Sequence, residues 1–344
     1  MIKTPMTSRL PRSRLILPDE FWDRPDNVPN INTYIRQRIT VALQRGRIPW
    51  KIPLSHDPNC GLPYNVRTGG RYRGVNTLLL CDTYHTKGYR NKWWGTAEDW
   101  EAIGAVLKDC QEPTVIARYP DNSSLRLDPC LVFNVAQVHG AEHYQAIPDT
   151  ALVVNDEADF GLIGRLLEHH QPDIRFDKGD TKNPPDWNGY VVPEPWHDYP
   201  THKDGDYILM QSEKHFPSRA DHYSVMLHEL VHWSEVRTAW MHCLPVREFV
   251  AEAGMHILGL ELGVPHCFDE YNHRQWLRHW NSIIYEDHSF FFWAMAQVDR
   301  VCNFLLQPIL QPQDSVYHDK CSIIPPVQFI TGPEHMSFNS EDAW

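Results

Sequence analysis

The segment that most restricts how this 344-residue chain can fold runs from Ser218 to Arg237. Ser218 and Asp221 form a capping-box pattern, a start signal for a helix. Within that helix, His228-Glu229-Leu230-Val231-His232 sets two imidazoles four residues apart, on one helical face. The flanking Val225, Met226, Leu227, Leu230, Val231 and Trp233 are apolar, so the helix must be buried. Both imidazoles can then reach one ion. Glu229 lies one step round the helix, placed to hold a water rather than the metal.

A short linker leads to a second helix, from Pro245 through about Leu262, that carries Glu248-Phe-Val-Ala-Glu252. Two carboxylates four residues apart share a face, so either can be the third ligand while the other hydrogen-bonds a ligand histidine. Three protein ligands plus a water make the open site of a catalytic zinc. In glutamate-type zincins the ligand carboxylate comes first and the supporting acid one turn later. That order makes Glu248 the expected ligand and Glu252 the supporting acid or alternative ligand. His222, Tyr223, His266, Tyr271 and His273 are candidates for an oxyanion-stabilising donor.

Composition narrows the rest. Apolar residues are 42% and charged residues 22% of the chain, close to a globular average, which excludes a disordered or coiled-coil protein. No apolar run approaches the roughly 20 residues a membrane-spanning helix needs, and the first residues lack the continuous apolar core of a secretory signal. The eight cysteines include no CxxC pair and read as reduced thiols, so a cytoplasmic protein without a membrane partner is expected.

The net charge of −12 hides a strong asymmetry. Residues 1–150 hold 19 basic and 15 acidic side chains, whereas residues 151–344 hold 13 and 29. Within 31–95, 11 basic residues face only Asp57 and Asp82. These cations alternate with aromatics, a combination that binds single-stranded nucleic acid: cations follow the phosphates and flat rings stack the bases. The candidate DNA-binding residues are Arg47, Trp50, Lys51, Asn65, Arg67, Arg71, Tyr72, Arg73, Asn76, Lys92, Trp93 and Trp94.

The fold class expected is α+β in two domains. Residues 1–30 hold five prolines and read as an arm or linker. Residues 31–147 form an α+β domain: an amphipathic helix over 31–46 with isoleucines at four-residue spacing, a glycine-rich loop over 58–75, a helix over 96–107, and strands at 114–119 and 131–135. Residues 148–306 form a mostly helical domain, with helices over 156–170, 218–237, 245–262, 269–286 and 288–306 and short strands at 190–192 and 206–210. Residues 307–344 hold five prolines and read as an extended tail.

Together these residues resemble the plasmid-encoded ArdC-type antirestriction proteins. The N-terminal half matches at Gly46-Arg-Ile-Pro-Trp50, Pro63-Tyr-Asn65, Thr68-Gly69, Tyr72-Arg-Gly-Val-Asn76, Leu78-Leu-Leu80, Trp93-Trp94, Gly104-Ala-Val106 and Val132-Phe-Asn-Val-Ala-Gln137. The C-terminal half matches at Asp206-Tyr-Ile208, Phe216, Tyr223, His228-Glu-Leu-Val-His-Trp233, Arg237, Glu248-Phe-Val-Ala-Glu252, Trp276 and Asp287. The chain departs from the family at Lys108-Asp109-Cys110-Gln111-Glu112, which is less basic, and at Arg247-Glu248, where one acid of a pair is missing. The resemblance implies an N-terminal domain for single-stranded DNA and a C-terminal zincin-like metallopeptidase domain that binds zinc. It implies a role in protecting incoming mobile DNA from restriction, chiefly through DNA binding. The alternatives are a protease, with Glu229 as general base, that cleaves a protein substrate bound to DNA, and a DNA-binding protein whose zinc is only structural.

Overall fold

The computed structural model describes residues 31–118, 127–147, 160–176, 189–193, 201–202, 205–240, 242–265, 276–277, 279–280, 282–284 and 289–309. The expected arm at 1–30, most of the tail beyond 307, and most of the helix expected over 269–286 lie outside these residues.

The chain enters through α1 (Ile31–Gln44). Ile31, Ile35, Ile39, Ala42 and Leu43 are its buried stripe, as the four-residue spacing requires. Gly46, at φ 69°, adopts the left-handed turn that ends the helix. After the short β1 (Tyr64–Asn65), α2 (Val75–Lys87) follows, a helix that the sequence pattern does not announce. Its residues from Val75 to Thr83 are all buried. With apolar and polar residues covered alike, no single stripe remains to mark the helical period. Its single interior acid, Asp82, accepts from Arg38 at 3.0 Å and pairs with Arg47 at 3.3 Å, tying α1 to α2.

β2 (Trp93–Gly95) pairs parallel to β1. The helix expected over 96–107 is shorter: α3 spans Ala97–Ala102, and β3 (Val106–Leu107) replaces its end. Thr96 and Asp99 do close a reciprocal capping box on α3. The predicted strands appear as β4 (Thr114–Arg118) and β5 (Asp128–Asn134), and β6 (Val138–His139) pairs with β3. The main sheet of this half has strand order β1-β2-β5-β4.

The second half opens with α4 (Gly161–His170) and β7 (Ile174–Phe176), continues through β8 (Gly189–Pro193) and β9 (Thr201–His202), and reaches β10 (Tyr207–Met210). These strands form a sheet ordered β7-β10-β8-β9. Three long helices follow: α5 (Arg219–Arg237), α6 (Leu244–Leu262) and α7 (Phe290–Leu306). Gly254 on α6 is where α5 comes close. A Cβ there would stand 3.0 Å from Cγ2 of Val231, so glycine permits the approach.

One hydrophobic core joins the halves. The buried cluster that includes Ile35, Trp50 and Leu79 also includes Leu227, Phe249, Trp280 and Leu305. Trp50 packs edge-on against Phe249 with ring centroids 4.9 Å apart, and against Trp280 at 6.1 Å. Polar groups are buried there too. Arg71 reaches Glu261 of α6 at 3.7 Å and Asp299 of α7 at 3.6 Å, and Arg73 donates to Asn303 Oδ1 at 2.6 Å.

Candidate metal centre and DNA surface

Helix α5 begins where Ser218 Oγ accepts the Asp221 backbone N–H at 3.1 Å, and its core positions fix its rotation. Helix α6 begins at the Cys243 cap with Pro245 in its first turn. Proline costs no hydrogen bond there, because that N–H has no helical partner. Where the two helices pack, His228, His232 and Glu248 converge, with their ligand atoms all within 4.8 Å of one another. The two imidazole Nε2 atoms are 3.2 Å apart; Glu248 Oε2 is 3.5 Å from His228 Nε2, and Oε1 is 3.3 Å from His232 Nε2.

These separations fit one ion. Ligand atoms at about 2.0–2.1 Å from a tetrahedral centre lie roughly 3.3–3.4 Å from each other. Two imidazoles and a carboxylate form a donor set that suits a divalent transition metal. His228 and Glu248 are 17% and 16% exposed, so the site is reachable from one side.

The charge state is set by proximity. Burial lowers the pKa of His228, but the hydrogen bond and charge of Glu248, aided by Glu229 and Glu252, lift it to about 9. Burial, with the neighbouring His228 and Arg247 charges, pushes His232 down to about 4. Burial opposes the ionised form of Glu248, yet the two imidazoles hold its carboxyl well below the usual range. The three groups therefore share charge as one unit, the arrangement a bound cation would complete.

His232 is held from behind by Glu235, whose Oε1 lies 2.7 Å from Nδ1, and Arg247 Nε donates to Oε2 of the same carboxylate at 2.8 Å. With its Nδ1–H donated to Glu235, His232 turns Nε2 toward the ion position. The acid on His232 is thus Glu235, a residue the sequence reading did not single out, while the charge of Glu252 raises the pKa of His228. The signal was present, an acid three residues after His232, but the acid pair on α6 drew the assignment. Glu229 is buried at 6% exposure beside His228. Of the oxyanion candidates, His222 is buried beside the rings of Phe176, Phe216 and Tyr223, and His266, Tyr271 and His273 lie outside the described residues.

The candidate DNA residues divide sharply. Trp50, Tyr72 and Trp94 are 2%, 0% and 1% exposed, and Asn65 and Asn76 are 3% and 0% exposed, so none of the five offers a surface to a base. Tyr72 accepts from Asn65 Nδ2, Asn65 Oδ1 caps the turn at Arg67 and Thr68, and Asn76 bonds the Ala117 backbone in both directions. Arg47, Arg71 and Arg73 serve the interior contacts described above. Arg67, Lys51, Lys92 and Trp93 remain at least partly exposed.

Comparison with known proteins agrees with this layout. Residues 29–129 match the N-terminal domain of anti-restriction factor ArdC, and residues 199–297 match a zincin-like metallopeptidase family. Two DNA primase TraC proteins of Escherichia coli are each 24% identical over 311 and 330 residues, 79% and 84% of this chain. The chain spans only 26% and 21% of their lengths. An uncharacterized protein, y4eC, of Sinorhizobium fredii (strain NBRC 101917 / NGR234) is 22% identical, with 81% of this chain and 94% of that protein aligned. The Mn(II)-bound crystal structure of the antirestriction ArdC protein from plasmid R388 superposes with a TM-score of 0.63 at 21% identity, covering 81% of this chain and 98% of that one. Its metal-free form gives 0.60 at 20% identity.

Proposed function

We propose that this chain, whose residues 29–129 match the N-terminal domain of anti-restriction factor ArdC and whose residues 199–297 match a zincin-like metallopeptidase family, binds single-stranded DNA and protects incoming mobile DNA from restriction. The same proposal gives the second domain one divalent ion, zinc, held by His228, His232 and Glu248. The observation that carries it is the convergence of those three side chains at metal-ligand separations.

A bound zinc would lower the pKa of its water toward 7 and polarise a substrate carbonyl. The protein's own groups do the rest. Glu235 and Arg247 hold the His232 ring in place. Glu229, next in sequence to a ligand and buried, takes the proton of an attacking water and returns it to the leaving amine. Burial keeps bulk water from competing for that proton.

The decisive experiment is Glu229→Gln in a DNA-protection assay, with metal content measured on the same preparation. Glu229 is the proposed base and not a ligand, so the variant should retain metal and lose any peptidase activity. Unchanged protection would assign the role to DNA binding, in keeping with the resemblance. Lost protection with metal retained would favour the reading in which DNA binding delivers a protease to a protein substrate.

A further inference from the structure

We propose that single-stranded DNA lies along a strip formed by Tyr144, Trp93, Tyr64 and Lys92, which begins beside α6 where Tyr64 donates to Glu261, with bases on the rings and a phosphate on the lysine. This rests on the DNA-binding reading above and specifies its surface.

Three aromatic rings run in series there. Trp93 meets Tyr144 at 5.2 Å and Tyr64 at 6.0 Å between ring centroids, each pair edge-on. All three are partly exposed, unlike the buried Trp50, Tyr72 and Trp94. Rings that are packed on one side and open on the other offer stacking area without being part of the core.

The strip is also pre-set. Asn59 Oδ1 accepts the indole N–H of Trp93 at 2.8 Å, while Asn59 Nδ2 donates to the carbonyls of His143 and Gln145 at 3.2 and 3.1 Å. One side chain thus fixes Trp93 and the turn that carries Tyr144. A platform ordered before binding loses less entropy when a ligand arrives.

Lys92 supplies the cation. Its ammonium lies 4.9 Å from the ring centroids of both Tyr64 and Trp93. Among the described residues no carboxylate lies within ion-pair distance of it. Burial lowers its pKa, a cost that the charges of Glu261 and Asp57, both beyond ion-pair distance, only partly offset. A phosphodiester between stacked bases would give the ammonium a direct anionic contact, which the described residues do not supply. Arg67, 59% exposed in the turn after β1, adds a second accessible cation.

The test uses the full chain and a labelled oligothymidylate, with anisotropy read across a salt series. Tyr144→Ala and Trp93→Ala should each weaken binding about tenfold, the scale of one lost base stack. Trp93→Phe should restore most of that loss, because a ring is kept. Lys92→Gln should lower the magnitude of the log–log salt slope by about 0.7. Lys87→Gln, an exposed cation paired with Glu112, should change binding far less. Thermal unfolding of each variant separates lost binding from lost folding. If the parent chain binds but Tyr144→Ala and Lys92→Gln, both folded, bind equally well, the strip is wrong. If the folded parent chain does not bind the oligonucleotide at all, the DNA-binding reading itself fails. Tighter binding of oligouridylate than oligothymidylate would overturn the assignment to DNA.

Discussion

The backbone N–H of Ile52 donates to Nε2 of His256 across 2.7 Å, joining groups 204 residues apart. Ile52 is 2% exposed and His256 is 1% exposed. His256 lies on α6, the helix that also carries Glu248. The N-terminal half is therefore hydrogen-bonded, through its backbone, to the element that supplies the third candidate ligand.

Because of that joint, the first half should not stand alone. Cutting the chain after residue 147 would strip Trp50 of Phe249 and Trp280, and Ile52 of its acceptor. A fragment of 31–147 should bind a hydrophobic dye and melt without a cooperative transition, while the whole chain unfolds in one step. Calorimetry of both proteins checks this. A fragment with its own sharp transition would show that the shared core is dispensable.

Arg71 is the charged centre of the interface, 7% exposed between Glu261 and Asp299. Asp299 Oδ2 also accepts the Gly74 backbone N–H at 2.5 Å. Removing one member of a buried ionic group leaves the others uncompensated, a loss of about 3–5 kcal/mol. Arg71→Ala should lower stability by about that amount in urea titration. Asp299→Asn, which retains an acceptor for Gly74, should cost less.

Glu235 aligns His232 through a 2.7 Å contact, so its loss should be felt in metal affinity rather than in stoichiometry. Glu235→Gln should weaken binding about 10- to 100-fold in competition with a chromophoric chelator. Glu252→Gln, which removes a charge that raises the pKa of His228, is the comparison. A smaller loss than for Glu235→Gln is expected, and equal losses would give both acids a supporting role.

Gly254 sets the spacing of the two helices that carry the ligands. Valine there must displace Val231, since a Cβ alone already stands 3.0 Å from its Cγ2. Overpacking of this kind costs about 1–3 kcal/mol. Gly254→Val should therefore lower the melting temperature and weaken metal binding together. Unaltered metal affinity would mean that α5 and α6 move apart elsewhere.

What the sequence determined by itself is local. The isoleucine spacing of α1, the Ser218 cap, the His228/His232 pair on one helical face and the strands β4 and β5 follow from periods and caps spanning a few residues. Such signals survive without knowledge of neighbours because the side-chain period and the cap are properties of the local backbone conformation. The tertiary structure decided which faces are covered. It buried Trp94 in the large core shared by both halves while leaving its neighbour Trp93 half open at the edge of a smaller cluster, since successive strand residues point to opposite sides. It turned Arg71 from an expected phosphate contact into an interior ion, because Glu261 and Asp299 arrive from helices far along the chain. It hid α2, whose covering on nearly every side erases the amphipathic period. It set Arg247 of α6 against Glu235, so the acid one turn after His232 is itself held from the second helix, a contact across 12 residues that no local period announces.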